Sequence, residues 1–319
     1  MNQPKQALHV ATMSGWYRFE KDGEAWQQTR RALAYWSLTC LSIDPENRRL
    51  VYAGSEHSGL FFSTDGGASW SRANPNVPKL MLFSVLALPG TVMAGTIPAA
   101  VYKKNGAGWE ELAGVRLSSR GATFPPSPEL QSRTRYLAFD PAAPTRLYAG
   151  IEVGGLLLSD DAGRNWQAAN DGLTDPDVHE VLPCEKNSQM VFAACGDKAF
   201  RSFDRAAHWE EITPASHDYG MSLAEDGDGA IYLGSAKGRP NTWLRESGAD
   251  AAIFRSGDVG SHWEIVTQGL RGGVMSMCAN SDGGIIAGTS DGELIAVTDA
   301  GARGIAAGLP CITSVAVGA

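Results

Sequence analysis

The 319-residue sequence contains no long uninterrupted apolar run. No segment approaches the length a membrane-spanning helix needs, and Met1 to His9 lack the central apolar stretch of a secretory leader. The chain is therefore expected to be soluble and cytoplasmic, with no membrane partner. Cysteine is sparse: Cys40, Cys184, Cys195, Cys278 and Cys311 are odd in number, scattered, and show no C-x-x-C spacing. That argues against a disulfide scaffold or a thiolate metal cluster and for reduced thiols inside apolar strands. A surplus of positive charge is missing too, since 27 Lys and Arg face 35 Asp and Glu, giving −8 and a pI near 5.3. A phosphate backbone requires a concentrated basic face, so nucleic acid is not an expected partner. Neither a nucleophile elbow nor a glycine-rich phosphate loop is present.

Glycine is abundant, with 37 residues, and it recurs in a pattern. Ser63-Thr64-Asp65-Gly66-Gly67-Ala68-Ser69-Trp70 follows the apolar strand Leu60-Phe61-Phe62. In such a turn the Asp carboxylate can accept backbone N–H bonds, Gly supplies positive φ, and Trp begins the next strand. The unit returns as Ser159 to Trp166 and as Ser256 to Trp263. Ser202 to Trp209 has Ala206 in place of the glycine, so its turn is expected to close differently. Weaker copies end at Trp26, Trp109 and Gly304, making seven units spaced 44, 39, 57, 43, 54 and 41 residues apart. The shorter intervals match a four-stranded propeller blade.

Leu38 to Asp44 reads as an inner strand, Leu50 to Gly54 as the second, Gly59 to Ser63 as the third and Ser69 to Ala73 as the fourth. The chain opens on a second-strand pattern, Ala7 to Ala11, and Ile312 to Val317 supplies the missing inner strand. Residues 1–319 are thus expected to form one all-β domain. Its architecture is a seven-bladed propeller of four-stranded antiparallel blades, closed by a C-terminal inner strand that joins the N-terminal blade. Helices should be nearly absent, and Trp70, Trp166 and Trp263 should be buried between sheets.

These turns resemble those of the BNR or Asp-box repeat propellers, the broad group that includes sialidases, over the whole chain. The resemblance implies a propeller fold. For a sialidase it would also imply an arginine triad gripping a carboxylate, a Tyr–Glu nucleophile pair and an acidic proton donor. Those motifs are not evident: Tyr17-Arg18-Phe19 does not reproduce the Arg-Ile-Pro segment that carries the first arginine. The box itself is structural in that family and speaks for fold rather than activity.

Links between blades and links from second to third strands share one face, and the Asp turns share the other. Two insertions, about 113–132 and 235–250, fall on the first face, where long loops point to binding. Glu56, Glu152 and Glu180 are candidate acid–base carboxylates there, with Tyr219 as a further catalytic candidate. Trp36, Arg135, Asp218, Arg239, Trp243 and Arg245 are candidate ligand contacts, and Arg116, Arg120 and Arg133 add guanidiniums suited to carboxylate or phosphate. His57, His179 and His217 come from three blades and could converge on a divalent metal completed by an acidic group. Each residue also has a plain reading as a wet rim side chain. His9, His208 and His262 read as packing.

Two functions follow. One is an enzyme acting on a small polar, anionic or glycoside-like substrate at the axial mouth by acid–base hydrolysis or elimination, with or without a metal. The other is a non-catalytic propeller that binds a protein partner or ligand through its rim.

Overall fold

The computed structural model describes residues 6–23, 25–73, 75–115, 132–243 and 246–318. Seven four-stranded antiparallel sheets are arranged as the blades of a propeller. Blade 2 illustrates the plan, with Leu38–Ile43, Val51–Ser55, Gly59–Ser63 and Ser71–Arg72 running from axis to rim. Blade 1 takes its inner strand from the other end of the chain. Ile312–Gly318 pairs antiparallel with Ala7–Thr12, which continues through Gly15–Asp22 and Ala25–Ala32. A 3-10 turn, Pro240–Thr242, lies on the insertion between Ala236 and Ala251.

Every strong turn is built from the same bonds. The Ser63 hydroxyl donates to Asp65 Oδ1 at 2.7 Å and accepts the Gly67 N–H at 2.7 Å, while Asp65 Oδ1 accepts the Ser69 N–H at 2.8 Å. The turns at Asp161, Asp204 and Asp258 repeat these bonds. Asp65 Oδ2 then takes a side-chain donor from the residue before the tryptophan: Ser69 here, and Asn165, His208 or His262 elsewhere. His208 and His262 are therefore exposed donors to the turn aspartates and not packing residues.

The turn with Ala206 also closes like the others, contrary to expectation. Ala206 adopts φ +71°, the left-handed region that Gly163 occupies at φ +88°, and its Cβ is buried in the interface between blades 4 and 5. The Ser–Asp bonds and the packing together outweigh the left-handed cost of roughly 1–2 kcal/mol. At Gly163 itself a Cβ would stand 2.6 Å from Leu112 Cδ1, so a larger residue there would have to displace that side chain.

Three of the turn tryptophans bond the blade before their own. Trp109 donates to the Pro75 carbonyl, Trp209 to Ala169 and Trp263 to Ile212, at 2.8–3.2 Å. Trp70 instead meets Trp16 of blade 1 edge-on at 5.1 Å. Burial is graded: Trp166 and Trp209 are buried, whereas Trp70 and Trp263 are only half-buried. Arg18, in the segment compared with the sialidase arginine, bonds the Gly66 carbonyl of the neighbouring turn. It serves the turn face and lies away from the axial mouth.

Trp166→Ala should destabilise by about 3–5 kcal/mol in a denaturant melt, and Trp263→Ala by less. Acid should act on the turns. Bonds from Asn165 hold the Asp161 carboxyl down at about 2; at Asp204 burial opposes the shift, but the bonds from His208 and Ser202 win and hold it at about 2. A depressed folded pKa means stability present above pH about 4 and lost as pH falls towards 2. Asp161→Asn should flatten that part of the Tm–pH curve relative to wild type.

Candidate functional site at the axial mouth

All seven inner strands carry a β-bulge at their second or third residue. The extra residues are Thr313, Thr39, Phe83, Arg135, His179, Met221 and Met275 in blades 1 to 7. A bulge re-aims its side chain. All seven line one axial cavity of about 380 Å³.

In blades 1 and 2 the bulge hydroxyl ties its strand to the next. Thr313 Oγ1 donates to Leu38 O and Thr39 Oγ1 to Leu82 O, at 2.9 and 2.7 Å. His179 makes the same tie with Nδ1, 2.7 Å from Gly220 O. Because a carbonyl only accepts, Nδ1 carries the proton and Nε2 is the other face of the ring. That Nε2 lies 3.4 Å from the Tyr219 hydroxyl and 3.7 Å from Asp177 Oδ2.

The following residue forms a second ring. Ser84, Ser222, Ser276 and Ser314 stand there in four blades and bond the backbone of the next inner strand. Blades 4 and 5 have Tyr136 and Glu180. The Glu180 carboxyl faces the Leu223 N–H and the Tyr136 hydroxyl. Burial pushes the Glu180 carboxyl up to about 8, with the Tyr136 hydroxyl, the Leu223 N–H and Arg135 pulling less strongly the other way.

Around this pair the rim is charged. Glu152, from the turn between second and third strands of blade 4, is held by Arg133 and by Arg135, whose Nη1 is 2.9 Å from Oε2. Burial would raise Glu152, but the two guanidiniums hold it below the ordinary carboxylate range. Asp177 is likewise lowered, burial being outweighed by His179, Arg135 and Arg239, and its Oδ1 has no hydrogen-bond partner. Burial and then the Asp177 charge push the Tyr219 phenol well up, so it stays protonated. Trp243 stacks edge-on against Tyr219 at 6.0 Å, and Arg239 pairs with Asp197 at 2.7 Å on the outer rim.

The structure thus brings together Arg135, Glu152, His179, Glu180 and Tyr219, with Arg239 and Trp243 alongside. It separates others. Glu56 lines the opposite part of the cavity, and His57 stands exposed beside it at 3.8 Å. His217 spends both ring nitrogens on Ser216 Oγ and Asp250 O, at 2.9 Å each, and so anchors the insertion. Asp218 is exposed, and Trp36 packs edge-on against Phe61 at 5.6 Å. Arg245, Arg116 and Arg120 lie outside the described residues.

Among the described residues, the three ligand types that come within 4.8 Å of one another are Glu152, Asp177 and His179; His57 and His217 do not join them. A histidine fixed by Nδ1–H to a carbonyl suits a zinc-type cation, but Glu152 already has both oxygens engaged by guanidiniums, with which a cation would have to compete. Asp177 and Tyr136 were not singled out from the sequence. Aligning the seven inner strands on one another is the signal that finds them.

No protein-family model matches the sequence, and no curated protein matches it. Solved structures match the fold. The GH74 xyloglucanase from Xanthomonas campestris superposes with a TM-score of 0.64 at 16% identity over 98% of this chain and 52% of that one. This chain spans about half of that enzyme's length. YCF48 bound to D1 peptide gives 0.57 at 13% identity, covering 95% and 86%, and the WD40 propeller domain of Doa1 gives 0.64 at 11%, covering 92% and 89%. Both enzymes and non-catalytic proteins therefore use this architecture.

Glu180 supplies a test of the site's electrostatics. A folded pKa raised to about 8 means that stability falls as pH rises from the ordinary carboxyl range through 8. Glu180→Gln should match wild type in Tm near pH 5 and exceed it near pH 9.

Proposed function

We propose that the chain is an enzyme acting on a small anionic substrate at the axial mouth, by acid–base hydrolysis or elimination. The observation that carries this is the double departure in adjacent blades 4 and 5. In the other blades hydroxyl, thiol or apolar residues occupy these two rings, yet Arg135, Tyr136, His179 and Glu180 stand in blades 4 and 5. Ionisable groups add nothing that the ties require. Environments that push carboxyls apart mark out an acid and a base. Ionised Asp177, whose Oδ1 is buried without a hydrogen-bond partner, takes a proton; Glu180, protonated near neutrality, gives one. Arg135 and Arg133 receive the substrate anion, and the protonated Tyr219 donates a hydrogen bond. The GH74 neighbours support a catalytic use of such a mouth by fold analogy alone.

The turn bonds support membership of the Asp-box repeat group, and the whole chain reads as one propeller domain. Five free thiols support a reducing, cytoplasmic setting. The rival reading, a protein-binding rim, is favoured by Tyr35 and Leu80, 95% and 41% exposed on the same face.

Titration calorimetry and turnover assays with a panel of uronic acids, esters and small carboxylates separate the two. Arg135→Met should weaken acid binding at least ~10-fold, since one charge-assisted bond is worth roughly 1.5–3 kcal/mol. Asp177→Asn and Glu180→Gln should keep affinity within a few-fold and abolish turnover. Absence of any acid binding to wild-type protein would leave the rim reading.

A further inference from the structure

The ring of bulge residues is chemically lopsided. Its two ionisable members, Arg135 and His179, are neighbours, with Phe83 before them and Met221 and Met275 after. Thr313 and Thr39 complete the circle, but their hydroxyls are committed to strand carbonyls, as is that of Ser84 one layer deeper. Three of the wall's hydroxyl donors are thus spent, while Ser42, Ser276 and Ser314 accept strand N–H bonds and keep their O–H groups on the deeper layer. Beyond Arg135, His179 and Glu180, the remaining acidic or basic residue lining the cavity among the described residues is Glu56 at the rim. Met277 lies deeper, and Met13, 54% exposed, hangs over the opening from the first turn of blade 1. The Arg133 guanidinium sits over the Phe83 ring at 4.7 Å and joins the charged sector to the apolar one.

A sugar would bury several hydroxyls against this wall, each costly unless paired. Thioethers and an aromatic ring instead suit an apolar body, and methionine adapts to irregular shapes. The cavity volume of about 380 Å³ suits a small molecule. We propose that the substrate is a small monocarboxylic acid with an apolar body, its carboxylate on Arg135 and its body against Phe83, Met221 and Met275. This rests on the reading of the mouth as an anion-binding substrate site, and it replaces the glycoside with an aryl or alkyl acid.

The test is calorimetric titration of the full chain with 3-phenylpropionate, propionate and galacturonate. Tight binding of phenylpropionate, at least about tenfold stronger than either of the others, is expected from burial of the phenyl group. Met275→Thr installs the residue that blades 1 and 2 carry in the same ring position, so the fold should survive; Met221→Thr is the second variant. Either should weaken phenylpropionate binding about 5- to 20-fold while leaving propionate within about twofold. Arg135→Met should weaken both. Galacturonate binding as tightly as phenylpropionate, or an equal loss for both acids in the methionine variants, overturns the apolar body. In that case Arg135-dependent galacturonate binding leaves the anion site standing, whereas no binding of any acid removes both.

Discussion

Everything at the mouth depends on the antiparallel pairing of Ile312–Gly318 with Ala7–Thr12. A six-and-a-half-bladed ring would leave two raw sheet edges at the axis, and inner strands held on one side only could not keep seven bulges in register. Closure makes each inner strand a neighbour of two others. Hydroxyl and imidazole groups can then reach across to the next strand's backbone at hydrogen-bond distance. The cavity is the space those ties leave.

Economy of function follows from the ties. A threonine that bonds the next carbonyl has one polar atom and uses it. A histidine in its place bonds through Nδ1 and keeps Nε2 over, which is how His179 serves the fold and still faces Asp177 and Tyr219. Glu180 faces both the Leu223 N–H and the Tyr136 hydroxyl. Such residues add chemistry without removing a structural bond, and the cost is confined to burying a carboxyl, which shows as a proton held to about pH 8.

The blade count, the strand order and the closure were legible because a Ser–Asp turn states its own conformation. A carboxylate two residues after a serine, followed by glycine and tryptophan, leaves few ways to satisfy the local N–H groups. Residue type misled at Ala206, where bonds from Ser202 and packing against Trp209 hold a conformation that alanine resists. Of the site, Arg135, Glu152, His179, Glu180 and Tyr219 could be assigned to one face from strand direction alone. Their meeting could not, because a bulge is a property of two paired strands and leaves no mark in either sequence. His217 shows the same limit from the other side: nothing in its neighbourhood announces that Asp250 and Ser216 occupy both nitrogens.

The bulges give the molecule seven sockets that differ in chemistry but not in backbone. Thr, Phe, Arg, His and Met all occupy them without altering the pairing around them. A library confined to positions 83, 221 and 275, which carry no tie to the next strand, would therefore vary the apolar sector of the cavity lining while leaving the sheets alone. The mouth of this propeller is a combinatorial surface already arranged for reassignment, one blade at a time.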